Sequence, residues 1–207
     1  MSRRRLCLPS TLCIAFAGSA WLILAQSQPM PTRPAAPDNW KQLTGDQRLA
    51  DLHTRRVSDV SEALRQHGFK LGAAAFIRVI KETSELELWL KPETSNRFVL
   101  YKAWPIARWS GTLGPKTKEG DHQAPEGFYQ FTAAQLNPRS NYHLAFNIGY
   151  PNAFDQSLGY TGSLIMIHGK DVSVGCFAMT DPVIEEIYLI VEAALASGQP
   201  HIDVHCF

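Results

Sequence analysis

The chain has 207 residues, 45% of them hydrophobic and 19% charged, with a formal net charge of +1. That length suits one domain with an extra segment, or at most two small domains, and the composition is that of an ordinary globular protein. The near-neutral balance gives no electrostatic case for a nucleic-acid partner.

The first stretch stands apart. Ser2-Arg3-Arg4-Arg5 is basic, and Leu6 to Ala25 is apolar except for Ser, Thr and one Pro. Residues 1–25 read as a secretory signal peptide, with Ile23 and Ala25 suiting a cleavage site. The alternative is an uncleaved N-terminal anchor, because the run approaches membrane-spanning length. Either way the chain is expected to be exported, to the periplasm or cell envelope, with a membrane partner only if the segment stays. Cys7 and Cys13 lack a lipoprotein-box context. Without residues 1–25 the balance is 17 basic against 19 acidic, or −2, so a polybasic membrane surface is not supported. Cys176 and Cys206 remain, and in an oxidising compartment two cysteines often pair.

Residues 26–45 carry Pro29, Pro31, Pro34 and Pro37 with little to bury, and read as a Pro-rich linker. Residues 46–70 form a helical lead-in, with a patchy apolar stripe of Leu49, Leu52, Val57, Val60 and Leu64 and with Gly68 at its end. Strands follow at Ala74 to Ile80, Glu85 to Lys91 and Arg97 to Ile106, joined by short turns, which argues for an antiparallel meander. Residues 107–127 read as a long loop, and such loops in compact domains are usually functional. Further strands are expected at Phe128 to Ala133, His143 to Ile148 and Leu164 to His168. A helix is capped by Asp181 with Pro182 at its first position, buries Ile184, Ile187, Tyr188, Val191 and Leu195, and ends at Ser197-Gly198. His201 to His205 is a closing strand. The expected architecture is mostly β with flanking helices, α+β overall.

The chemistry concentrates in one place. The strand ending in His168-Gly169 runs through a polar turn to Ser173, Gly175 and Cys176. A cysteine and a histidine eight residues apart, each beside a glycine, fit a thiolate nucleophile and its base, the imidazole lowering the thiol pKa and taking its proton. Gly175 lets the backbone approach closely and can leave amides free to face an oxyanion. The bland alternatives are a small buried Cys and a structural His. Asn147, Tyr150 and Tyr160 are candidate cleft residues on loops, although such residues in a β protein are more often packing and turn residues. Lys116 and Lys118 are candidates for substrate carboxylates, against the common solvated lysine. A zinc site from Cys176, His168, His205 and Cys206 has no ligand-spacing motif behind it, and no cofactor is called for.

The order His168-Gly169, Ser173-Val174-Gly175-Cys176 resembles the YkuD-type L,D-transpeptidase signature. Upstream, Gly114-Pro115-Lys116, Glu119-Gly120-Asp121 and Pro125-Glu126-Gly127-Phe128-Tyr129 are similar to that family's other landmark. Asn147 to Asn152 and Ala178-Met179-Thr180-Asp181 resemble its YafK-like branch more narrowly. The resemblance covers roughly residues 70–207, so residues 71–207 are expected to be the catalytic domain. It implies a β-sandwich of the L,D-transpeptidase type that acts on peptidoglycan stem peptides, with a wall-attached protein as a further partner. In that reading Cys176 is the nucleophile, His168 the base and the Gly169 carbonyl its orienting partner. Gly175 and Cys176 supply oxyanion amides, and Ser173 supports the turn or touches substrate. The thioester passes to an amine or, as the runner-up, to water; a catalytically silent wall-binding protein is the third reading. Val174 and Phe177-Ala178 depart from the commoner family pattern around the Cys, and the departures match the YafK-like branch.

Overall fold

A computed structural model describes residues 35–207, all within the compact unit Arg33–Phe207. The expected signal peptide or anchor, and the linker up to residue 34, lie outside the described residues. None of the described helices is long and apolar enough to cross a membrane.

Helix α1 (Gly45–Gln66) starts at a capping box: Thr44 Oγ1 accepts from the Gln47 amide and the Gln47 side chain accepts from the Thr44 amide. Gly68, at φ +78, ends it in the left-handed conformation that glycine takes without strain. Its buried face is Arg48, Leu52, Arg56, Val60 and Leu64, a strict spacing of four. Two buried arginines fill that stripe, which is why it looks patchy when only apolar residues are counted. Upstream, residues 40–42 make a short 3-10 turn and Trp40 is buried, so the chain is packed before the helix begins.

The first sheet has the strand order β3-β2-β1-β9-β4. β1 (Ala75–Ile80), β2 (Glu85–Leu90) and β3 (Val99–Pro105) form the expected antiparallel meander. The closing strand β9 (Ile202–Cys206) does not sit at an edge. It inserts parallel to β1 and antiparallel to β4 (Gly127–Phe131). Alternation sends Ile77, Val79, Leu86, Leu88, Leu90, Phe131, Ile202 and Val204 into the core.

The second sheet is built from short pieces in the order β5-β6-β7-β8: β5 (Leu136–Asn137), β6 (Ala145–Asn147), β7 (Met166–His168) and β8 (Phe177–Ala178). A five-residue helix, α2 (Ala153–Ser157), lies between β6 and β7. Helix α3 (Asp181–Ala196) packs on α1 and reaches β1, β6 and β7. Residues 184–191 of α3 are all buried, so it is a core helix and not a surface one. The fold is thus α+β, with nine strands in two sheets and three α-helices among the described residues.

Two local expectations are corrected. Asp181 is not the cap of α3: Thr180, at φ +68, precedes the helix, and the Asp181 carboxylate accepts from the Lys170 amide and pairs with the Lys170 ammonium. Leu164 is not part of a buried strand; it is exposed at φ +58, and the strand begins at Met166.

Candidate active site

β7 and β8 run parallel, with Ile167 opposite Phe177 and His168 opposite Ala178. The chain between them, residues 169–176, turns back on itself so that His168 ends one strand and Cys176 precedes the next. Extending the register one step places Cys176 opposite Met166, and the Met166 amide donates to Cys176 Sγ at 3.4 Å. In a pleated sheet, positions 166, 168 and 176 then share one face. His168 is two residues along and one strand across from Cys176, a Cα separation of about 8 Å from ordinary strand spacings. Both side chains line one cavity of about 300 Å³ with Tyr142, Val172, Ser173 and Val174.

Each local contact fixes part of this geometry. His168 is buried, and its Nδ1–H donates to the Gly169 carbonyl at 2.6 Å. A carbonyl can only accept, so Nδ1 carries the proton and Nε2 is left as the lone-pair nitrogen. Gly169 has no room for a side chain: a Cβ there would stand 2.7 Å from both Asp181 Oδ1 and the Tyr142 carbonyl. Ser173 Oγ donates to the Cys176 carbonyl at 2.6 Å, tying the turn directly beneath the thiol. Gly175 adopts φ +117, a conformation that L side chains rarely take. Among the described residues neither the Gly175 nor the Cys176 amide donates to a backbone carbonyl.

The electrostatics describe a neutral resting pair. Burial pushes the Cys176 thiol up from its ordinary value, against the smaller opposing effects of the Met166 amide and the Lys116 charge. Burial likewise pulls His168 down, against the Gly169 hydrogen bond. The sequence suggested a thiolate activated by the neighbouring imidazole; burial instead raises the thiol pKa and lowers that of the imidazole, which favours the neutral form of both groups.

Lys116 is neither solvated nor open to a substrate carboxylate. It is buried, and its Nζ meets Asp121 Oδ1 and the Lys118 carbonyl. Asp121 also accepts from the Thr117, Lys118 and Gln123 amides, and this set holds its carboxyl well below the usual range despite burial. Lys118 itself is exposed.

Three candidate cleft residues are placed elsewhere. Tyr150 is buried, and its hydroxyl donates to the carbonyls of Lys116 and Thr161, so it braces the loop from behind. Asn147 spends its Oδ1 on the Gly149 amide. Tyr160 lines a separate cavity with Phe128 and Phe154. Tyr142, which the sequence did not single out, lies over His168 with ring centroids 4.7 Å apart. No local pattern marks it, because the contact spans a long sequence separation.

Cys206 is a free thiol, as Cys176 is; it is buried in β9, where desolvation raises its pKa strongly. His205 packs between Phe76 and Phe128 on the first sheet. No group of three or more His, Cys, Asp or Glu side chains placed to hold a metal ion is found among the described residues.

Comparison with known proteins identifies the family. The model of the L,D-transpeptidase catalytic domain, YkuD, matches residues 89–197. YafK of Escherichia coli (strain K12), whose name gives it provisionally as an L,D-transpeptidase, is 43% identical over 137 residues, 66% of this chain and 55% of its own. The chain thus spans about half the length of the curated relatives it matches. Among solved structures, a mutant form of the helical cell shape determining protein Pgp2 from Campylobacter jejuni aligns with a TM-score of 0.51 at 23% identity. The alignment covers 83% of this chain and 56% of that one, a likeness of fold. With the matched segment holding both sheet ends, His168 and Cys176, the chain belongs to the YkuD family of L,D-transpeptidase catalytic domains.

Proposed function

We propose that the protein is a cysteine acyltransferase acting on peptidoglycan stem peptides. Cys176 Sγ attacks the carbonyl on the L-centre of a diaminopimelate residue as His168 Nε2 accepts the thiol proton. The tetrahedral oxyanion is met by the Gly175 and Cys176 amides. Collapse breaks the amide, His168 returns its proton to the departing amine, and a thioester remains on Cys176. An amine then attacks the thioester, restoring the thiol and forming the new amide. The observation that carries this reading is the tautomer held by Gly169, which leaves Nε2 free to accept on the same sheet face as Cys176.

The raised thiol pKa supports proton transfer during attack, and not a preformed ion pair, as the route to the nucleophile. Ser173 is assigned to turn support. In the same reading, residues 1–25 export the chain to the periplasm or envelope, the Pro-rich stretch after them links it, and 46–70 lead into the catalytic unit of residues 71–207. The expected linker does not run on to residue 45, because Trp40 is already buried in the core ahead of α1.

One observation favours water as the acceptor. An amine-transferring site gains from a walled, aromatic acceptor platform that excludes water. Tyr150, Phe154 and Tyr160 do not line the Cys176 cavity, whose rim is Val172, Val174 and Tyr142. Hydrolysis, releasing a peptide or a wall-attached protein, is therefore the second reading. Mass spectrometry of muropeptides incubated with the protein tests both. A stem-peptide thioester on Cys176 is expected, and its complete absence with a folded protein rejects the acylation step. Adding a diaminopimelate amine then separates the acceptors: a new amide product supports transfer, and free tripeptide alone at every amine concentration means hydrolysis.

A further inference from the structure

The loop of residues 138–143 carries Tyr142 onto the catalytic-site imidazole. The two rings lie 4.7 Å apart with 34° between their planes. Tyr142 is exposed on its outer side and shares the Cys176 cavity. The loop that bears it is held from behind by the helical lead-in. Arg48, only 5% exposed, donates to the carbonyls of Trp40, Lys41, Pro138, Ser140 and His143 at 2.9–3.4 Å. All five acceptors are backbone: two belong to the segment before α1 and three to the loop. A buried guanidinium with a rigid fork of donors suits such a tie between two stretches of main chain.

A second tie lies beside it. Trp40 stacks on His143 at 4.4 Å, and its indole N–H donates to the His143 carbonyl at 3.4 Å. His143 is buried, and its Nε2 meets Glu185 Oε1 on α3 at 3.0 Å. Residues 138–143 are thus pinned to α1 on one side and α3 on the other, and Tyr142 is where the pinned loop reaches the cavity.

We propose that Tyr142 is a positioning residue for His168, and that Arg48 and Trp40 form the clamp that sets it, so that segments upstream of the matched residues 89–197 belong to the catalytic unit. The phenol ring covers one face of the imidazole. It limits rotation of the ring and keeps water off that face, which preserves a neutral Nε2 in the cavity that His168 shares with Cys176. The titratable groups around the imidazole are Tyr142 and Cys176 in the cavity, with His143 and the Asp181–Lys170 pair behind Gly169. The proposal rests on the reading of His168 as the base, but its first readout does not.

Imidazole NMR titration of the full chain reports the His168 pKa without substrate. Tyr142→Ala should raise it toward the ordinary histidine value of about 6.5, because a face of the ring regains water. In turnover the same variant should lower kcat by roughly ten- to a hundredfold, the scale of a misplaced catalytic group, with KM little changed. Tyr142→Phe, which keeps the ring, should recover most of that loss. Arg48→Lys keeps the charge but not the fork, and Trp40→Leu removes the stack; each should move the His168 pKa in the same direction as Tyr142→Ala. An unmoved His168 pKa in Tyr142→Ala overturns the positioning role. Unmoved values in the folded Arg48→Lys and Trp40→Leu proteins overturn the clamp, and Trp40→Leu decides alone if Arg48→Lys does not fold. If instead His168→Ala retains full activity, the assignment of the base fails while the titration result stands by itself.

Discussion

His168 Nδ1–H donates to the carbonyl of Gly169, its own chain neighbour, at 2.6 Å. The bond orients the imidazole through the backbone, with no carboxylate partner needed. Donation to the carbonyl by itself favours the protonated ring, but burial outweighs it and lowers the His168 pKa. In the proposed mechanism this suits a base that must collect a proton from a thiol whose own pKa is raised.

Cys176→Ala should abolish thioester formation while leaving thermal unfolding near wild type, because among the described residues the thiol's hydrogen bonds are two weak ones, with the Met166 amide and the Leu164 carbonyl. The loss is expected on the order of a thousandfold or more, since nucleophile and base act as a unit. Intact-mass measurement after incubation with muropeptides checks it, and turnover surviving in a folded variant would remove Cys176 from the mechanism.

Alkylation of Cys176 by iodoacetamide should climb with pH and keep climbing above the ordinary cysteine value of about 8.5. The sign follows from burial: a thiol pushed up holds less thiolate at neutral pH than a free cysteine. A rate plateau reached below pH 7 would show a preformed thiolate instead. Cys206 should stay unlabelled in the native protein, being buried in β9.

Gly169→Ala should destabilise the fold by about 1–3 kcal/mol, the usual cost of overpacking. The added methyl would meet Asp181 Oδ1, the Tyr142 carbonyl and, at 3.0 Å, His143 Cβ; two of these belong to the pinned loop, and the carboxylate oxygen is itself held by the Lys170 amide. Chemical denaturation measures the loss, and a variant as stable as wild type would mean that these elements can part without cost.

Asp121→Asn should loosen the Lys116 loop. The carboxylate gathers the Lys116 ammonium and three backbone amides, and removing its charge weakens partners that are shielded from water, at about 1–3 kcal/mol. Because its folded pKa lies below the unfolded value of about 3.9, its stabilisation is fully present above that value. It is lost as pH falls further toward the folded value. Wild type should therefore lose this increment only in strong acid, and Asp121→Asn should lack it at neutral pH. Equal stability of the two proteins at pH 7 would count against the loop's dependence on Asp121.

Several parts of this protein could be read directly from residue order. The antiparallel meander follows from strand-length apolar runs separated by short turns, and α1 and α3 follow from spacing and glycine stops. These are local properties, carried by neighbours within a few residues. The pairing of His168 with Gly169 and Ser173 with Cys176 is equally local, and the family pattern sits on those residues. What the tertiary structure decided has long sequence separation. Insertion of β9 between β1 and β4 depends on pairing across more than half the chain, which no turn signal specifies. Arg48 and Arg56 count as polar in any pattern, yet they are buried because partners from residues 138–143 and from α3 arrive to meet them. Tyr150 and Tyr142 have the same chemistry, and only packing separates them: one hydroxyl is spent on buried carbonyls behind the Lys116 loop, and the other ring lies over the imidazole. The thiol's pKa belongs to the same class, because desolvation is set by everything folded around Cys176 and not by the residues beside it.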